Sequence, residues 1–240
     1  MAEIMTPEFW TGLITIIWVN IILSGDNAVV IALAARSLPE RQQKKAVMWG
    51  AGAAVLMRIV LTIVAVELLK FPYLKLVGAA LLLWIAVKLL VPEDAGGEDV
   101  QSSSNLMAAI KTILIADLVM SLDNVIAVAA AAKGSTTLLI LGLAISIPLV
   151  IFGATMLMKL MERWPIIITL GAAILGWVSG EMAVTDPVIT AWVEANAHYL
   201  HWAAPAAGAL LVVIVGKWLA ARAAKEHKGI IDLAGEERKA

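Results

Sequence analysis

The chain has no cysteine, so disulfides and thiolate metal ligands are excluded, and any soft-metal chemistry would fall to histidine and methionine. Charge is also scarce. Asp, Glu, Lys and Arg make up 15% of the 240 residues, where a soluble domain carries about 25%. No basic patch with interleaved aromatics is present, which speaks against a nucleic-acid partner. Gly50-Ala-Gly52 has a faint likeness to a dinucleotide fingerprint but follows no strand, and reads as close helix packing. No Lys or Arg precedes the first apolar run, so that run is read as a retained helix and not as a cleaved signal.

What fills the chain instead is hydrocarbon: 61% of residues are hydrophobic, and the mean hydropathy is +0.90. Seven apolar runs of bilayer length can be drawn, over 10–35, 46–69, 73–91, 107–132, 136–158, 165–184 and 202–222. Their continuous hydrophobicity, rich in Ala and Leu, predicts helices, because barrel strands would alternate. The expected fold is an all-α, polytopic membrane bundle of seven transmembrane helices. Of the 18 Lys and Arg residues, all but Arg58, Lys70, Lys75 and Lys133 fall on one side of the drawn spans. The positive-inside rule then puts the N-terminus outside and the C-terminus in the cytoplasm. Trp10, Trp49, Trp164, Trp202 and Trp218 lie near span ends, as an interfacial belt requires.

Two stretches carry polar groups into this apolar background: Asn20-Ile-Ile-Leu-Ser-Gly-Asp-Asn27 and Asp117-Leu-Val-Met-Ser-Leu-Asp-Asn124. An aspartate inside a membrane helix costs roughly 2.5–3.5 kcal/mol on insertion scales, so it marks a functional site by default. The two stretches also echo each other. Leu23-Ser-Gly-Asp-Asn27 matches Met120-Ser-Leu-Asp-Asn124 at an offset of 97, and Pro72, Gly78-Ala-Ala and Trp84 match Pro165, Gly171-Ala-Ala and Trp177 at an offset of 93. Repeats holding an odd number of spans must be inverted relative to each other, a recurring plan in secondary transporters. The expected organisation is a first three-helix repeat over 1–95, a polar, acidic, flexible cytoplasmic linker over 96–106 and a second, inverted three-helix repeat over 107–186. An outer connection and unpaired seventh helix follow over 187–224, then a cytoplasmic tail over 225–240.

On an ideal helix Asp117, Ser121 and Asn124 share a face, as do Asn20, Ser24 and Asn27, while Asp26 and Asp123 point elsewhere. Either the two faces make different contacts, or the helices unwind at the motifs so that all groups converge. Gly25 favours unwinding in the first stretch, and Ser24 and Ser121 can bond freed backbone. Asp26, Asn27, Asp123, Asn124, Asp117 and Asn20 offer only carboxylate and amide oxygens. Such a set suits hard or borderline divalent cations such as Mn2+, Ca2+ or Mg2+. The plainer alternative is that the asparagines hydrogen-bond neighbouring helices. Arg58, mid-span, needs an acid partner, for which Asp26 or Asp123 is the obvious candidate. Its role is either structural pairing or that of a tethered cation competing with substrate. Glu67 and Glu181 read as interfacial, and Pro148 as a helix kink. Glu194, His198 and His201 have a spacing that seats a metal on one helix face, but beside Tyr199 and Trp202 they read as an interfacial cluster.

Ser24-Gly-Asp-Asn27 and Asp117-Leu-Val-Met-Ser-Leu-Asp-Asn124, with seven spans and a Gly-rich second helix bearing Arg58, resemble the TerC family of bacterial integral membrane proteins. That family is named for tellurium resistance and grouped with the LysE-type exporters. The resemblance covers roughly residues 8–222. It implies metal-ion homeostasis, chiefly manganese efflux across the bacterial inner membrane. Asp26, Asn27, Asp123 and Asn124 would then be substrate-site residues, with Asp117 as a further acid. The chain departs from the family at Asn20, where members often carry glutamate; one charge fewer bears on affinity, metal preference and proton coupling.

The leading expectation is therefore a non-enzymatic exporter of a divalent cation, Mn2+ foremost, with no prosthetic group, membrane lipids as surroundings and room for a homo-oligomer. Export against an inside-negative potential costs a dication about 2 × 2.3 kcal/mol per 100 mV, so it needs a steep gradient or an exchanged ion, and carboxylates that bind proton and metal in turn would permit proton antiport. Three alternatives compete. A metal-binding membrane scaffold would hand metal to partner proteins. An intramembrane aspartyl protease would use a carboxyl dyad, but both aspartates here precede asparagine and no Tyr-Asp motif is present. Amino-acid export lacks an obvious paired anion-and-cation site beyond Arg58.

Overall fold

The computed structural model describes residues 6–68, 71–91, 99–132 and 135–237. Every regular element among them is a helix: α1 Pro7–Leu23, α2 Gly25–Ala35, α3 Glu40–Leu68, α4 Leu74–Leu90, α5 Asp99–Ala132, α6 Thr136–Arg163, α7 Ile166–Val184, α8 Thr190–Asn196 and α9 Leu200–Glu237. Local chemistry sets the starts and stops. Thr6 Oγ1 accepts from Phe9 N at 3.2 Å, with Pro7 at the first helical position, so α1 has both a cap and a residue with no amide to waste. Ser135 Oγ caps α6 by accepting from Leu138 N at 3.3 Å. At the other end of α6, Pro165 forces Trp164 out of the helical region (φ −133°, ψ 84°), and the chain turns into α7.

Among the described residues, five helices are long and apolar enough to cross a membrane, and α1 with α2 makes a sixth, bent by 51° at its break. The expected span over 73–91 is the difference. Its helix, α4, has 17 residues, a length of about 25 Å at 1.5 Å per residue, against a hydrocarbon core of about 30 Å. The segment expected as a flexible linker is helical from Asp99 onward, because α5 begins there. Residues 92–98 (which include the start of the linker), the extreme N-terminus, the side chain of Glu67 and the residues Lys70 and Lys133 lie outside the described residues.

Helices α2, α4, α5, α6 and α7 pack around a core that includes Leu33, Leu82, Ile85, Ile113, Met161 and Leu175. A second core joins α1 to α6 and the end of α5 through Phe9, Ile16, Val128, Leu139 and Leu143. Asn20 lies one turn beyond Ile16 on α1, and Asp117 one turn beyond Ile113 on α5, so the polar motifs fall between the two apolar cores. Helices α7 and α9 meet backbone to backbone. A Cβ added to Gly176 would strike the backbone of Gly208, and one added to Gly180 would strike Ala204 and Pro205. Outward, the bundle presents large apolar side chains such as Trp18, Leu56 and Phe152, each more than 60% exposed, a surface suited to lipid. All five tryptophans expected in an interfacial belt are also exposed.

One buried acid organises the end of the bundle near α8. Asp186 is fully buried; its Oδ2 accepts from Leu76 N at 3.2 Å in the first turn of α4, and its Oδ1 from Val188 N at 2.9 Å. A carboxylate at a helix N-terminus meets unpaired amides and the positive end of the helix dipole. This capping role was not foreseen from the sequence.

Candidate functional site

The break between α1 and α2 can be traced bond by bond. In an unbroken helix Asn27 N–H would donate to Leu23 O, four residues back. Here it turns to its neighbour and donates to Asp26 Oδ1 at 2.8 Å. Ser24 leaves helical geometry (φ −110°, ψ 5°). The freed Leu23 carbonyl is taken up from across the bundle by Asn124, whose Nδ2 donates to it at 2.9 Å. Gly25, at the start of α2, makes the departure cheap, since glycine is a poor helix residue by about 1 kcal/mol. In the second motif the matching position is Leu122, and α5 runs through Asp117–Asn124 without interruption. The expected unwinding therefore occurs in one motif only.

Arg58, 3% exposed, is the centre on which both motifs converge. Its Nη2 pairs with Asp117 Oδ1 at 2.6 Å and its Nε donates to Ser121 Oγ at 3.0 Å, both on α5. Its Nη1 donates to Asn20 Oδ1 at 2.7 Å and to Ser24 Oγ at 2.9 Å, both from the first motif. Asn20 and Asp117 are repeat-matched, as are Ser24 and Ser121, so the guanidinium is held by two matched pairs. Ser121 Oγ donates to Asp117 Oδ2 at 3.2 Å, and Asn20 Nδ2 donates to Ser146 Oγ on α6. The expected partner of Arg58 was Asp26 or Asp123; the partner observed is Asp117, because the packing of α3 against α5 brings the guanidinium to that turn. A planar fork of donors can satisfy several acceptors at once, which lowers the cost of burying the charge.

The six expected ligands thus have different standing. Asn20 and Asp117 are engaged with Arg58. Asn124 repairs the α1–α2 break. Asp26 is half-buried and holds the Asn27 amide. The side chain of Asp123 lies outside the described residues. Asn27 is 3% exposed, and among the described residues neither its Oδ1 nor its Nδ2 has a hydrogen-bond partner. An unsatisfied buried polar group costs about 1–3 kcal/mol. Asn27 also lines a narrow gap together with Asp117 and three aliphatic side chains, Val30, Ile31 and Ile113. One turn further along α2 and α5 opens a cavity of about 290 Å³, lined by Leu33, Ala34, Arg36, Lys88, Thr112 and Glu162 among others. Along α2, Val30 and Ile31 come between Asn27 and the vestibule residue Leu33, and along α5 Ile113 comes between Asp117 and the vestibule residue Thr112. Ser146 belongs to this site and was missed. It is a hydroxyl in an apolar run two residues before Pro148, which is the signal that could have found it.

Apolar helices around a buried ion pair, a broken span and a polar gap below a vestibule define a multi-pass integral membrane protein of the transporter type. Residues 5–224 match the integral membrane protein TerC family, and the chain belongs to that family. It is 43% identical over 182 residues to the uncharacterized membrane protein YjbE of Bacillus subtilis, covering 76% of this chain and 83% of that protein. To the uncharacterized membrane protein YkoY of the same species it is 25% identical over 253 residues, covering 95% and 78%. To the UPF0053 inner membrane protein YgdQ of Escherichia coli it is 26% identical over 181 residues, covering 68% and 76%. No solved structure matches the chain.

Proposed function

We propose that the protein is a carrier, not an enzyme, that exports a divalent metal cation, Mn2+ foremost, from the cytoplasm across the bacterial inner membrane. The observation that carries this reading is Asn27: a buried carboxamide with no partner, facing the same gap as the Asp117 carboxylate. An amide oxygen and carboxylates from Asp117 and Asp26 form an all-oxygen set, the chemistry that Mn2+, Ca2+ and Mg2+ prefer. In this reading Arg58 is the tethered cation. It neutralises Asp117 when no substrate is bound, and an entering dication competes with it for that carboxylate. A proton released or taken up at Asp26 or Asp117 is the coupling we favour.

The reciprocal packing supports two inverted repeats, with α1–α2, α3 and α4 answering to α5, α6 and α7, and α9 as the unpaired seventh span. Helix α3 packs on α5, α1 on α6, and α4 on α7, which is the pattern that exchange of two halves about one axis produces. The matched glycines agree: a Cβ on Gly78 would meet Val119 of α5, and one on Gly171 would meet Val29 and Leu33 of α2. Each faces the other half's motif helix. The cation asymmetry supports an N-terminus outside and a cytoplasmic C-terminus, which would make the vestibule near Arg36 and Lys88 the cytoplasmic mouth.

The test is Mn2+ flux into proteoliposomes holding a metal-sensitive dye, for wild type and for Asp26→Asn, Asn27→Leu and Asp123→Asn. Flux lost in all three variants, competed by Ca2+ or Mg2+ according to selectivity and altered by an imposed proton gradient, is the expected result. Metal binding without flux in folded wild type would replace the carrier with a scaffold that hands metal on.

A further inference from the structure

Two of the chain's three histidines converge on one carboxylate, far along the chain from the buried centre. Helix α8 ends at Asn196, where Ala197 breaks the backbone (φ −148°, ψ 47°), and α9 starts at Leu200. Glu194 comes from α8, His198 from the turn and His201 from α9. His198 Nδ1 lies 3.3 Å from Glu194 Oε2, and His201 Nε2 lies 3.1 Å from Glu194 Oε1. The imidazole rings sit beside each other with centroids 5.2 Å apart. One ligand atom from each of the three residues falls within 4.8 Å of the other two.

These separations have a chemical meaning. A tetrahedral ion with bonds of about 2.0–2.1 Å holds its neighbouring ligand atoms about 3.3 Å apart. The nitrogen–oxygen distances are close to that value but reach different oxygens of Glu194, so an ion enters by displacing these hydrogen bonds and drawing the three ligand atoms in from their present span of up to 4.8 Å. Side-chain exposure of 77% at His198 and 56% at Glu194 leaves the entry path and a fourth coordination position open to water. At His201 the exposure falls to 24%, so that ring is held against the bundle and fixes one ligand. Below the cluster, Val193 is fully buried and anchors α8.

We propose that Glu194, His198 and His201 form a surface site of the two-histidine, one-carboxylate type for a borderline divalent cation of the zinc class. Two imidazoles select Zn2+, Co2+, Ni2+ or Cu2+ over Mn2+, Ca2+ and Mg2+, the reverse of the all-oxygen preference at the buried centre. The site bridges α8 and α9, so a bound ion clips the connecting segment to the last helix. It is independent of whether the buried centre carries a substrate.

The experiment uses the full chain in detergent, stripped with chelator and titrated with Zn2+ against a chromophoric competitor. Wild type should hold one equivalent of Zn2+ more than the His198→Ala/His201→Ala variant, and Asp117→Asn should keep that equivalent. Co2+ in its place should give the intense visible absorption of a four-coordinate ion in wild type and lose it in the double variant. Folding is checked by elution volume and by unfolding temperature without metal; should the double variant fail there, His198→Ala alone makes the comparison, because that side chain is exposed. Equal Zn2+ stoichiometry in wild type and variant, or a Co2+ spectrum no different from the hydrated ion, overturns the proposal and leaves the cluster a hydrogen-bonded rim.

Discussion

The two matched motifs both end in Asp-Asn and use that final asparagine in opposite ways. In the second, Asp117–Asn124, the helix is continuous and its asparagine is spent: Asn124 donates to Leu23 O and closes the wound in the other motif. In the first, Asn20–Asn27, the helix is broken and its asparagine is left over: Asn27 is buried with both polar atoms unpaired. Gly25 against Leu122 accounts for much of the difference. A repeat in sequence therefore guarantees which groups reach the centre, but one local substitution decides which of them is free. A symmetric pair would cap or pair both amides. The asymmetric one leaves a single amide with spare capacity beside a carboxylate.

The largest effect should come from removing what both motifs share. Arg58→Leu leaves Asp117 charged and buried, and takes a donor from Asn20, Ser24 and Ser121. Breaking a buried pair on one side costs about 3–5 kcal/mol, so thermal unfolding in detergent should fall steeply and the yield of monodisperse protein with it. The double change Arg58→Leu/Asp117→Leu should recover part of that loss.

Next comes the comparison itself, through the two asparagines. Asn124→Leu strips Leu23 O of its partner, a cost of about 1–3 kcal/mol. Asn27→Leu removes two orphaned polar atoms from a buried position and should be neutral or stabilising, while abolishing flux. Opposite signs of the change in unfolding temperature in the two variants are the expected outcome; equal losses in both would mean that Asn27 is as well satisfied as Asn124. The smallest effect belongs to Gly25→Ala. Nothing lies within 4 Å of a Cβ built there, and alanine favours helix over glycine by about 1 kcal/mol. Stability should change by no more than that, and any loss of flux would then report closing of the α1–α2 break.

Much of this was legible in the residues. Long apolar runs announced a helical membrane bundle, and polar groups that no lipid-facing position tolerates announced its centre. Gly25 pointed to the break before any coordinates did, and Leu122 explains why the second motif did not follow. The partner of Arg58 was not legible, because the choice among Asp26, Asp117 and Asp123 depends on how α3 rotates against α5, and sequence spacing carries no information about a neighbour's rotation. Ser146 escaped for the same reason: it matters because α6 lies against α1, where Asn20 can reach it. The shortness of α4 was hidden by its flanks, since Tyr73 and Val91 extend the apolar run by one residue at each end of the helix. Glu194, His198 and His201 were visible as a spacing; only the turn at Ala197 shows that three side chains on separate elements meet.

The seam between α7 and α9 has a mechanical consequence. Two rods in contact at Gly176, Gly180 and Gly208 have no side-chain cushion between them, so they move as one unit. Compliance must then lie elsewhere in the bundle, and the break at Ser24, with its missing rung, is the joint among the described helices that supplies it. Load applied to α2 would flex there first, against a pair that moves as one.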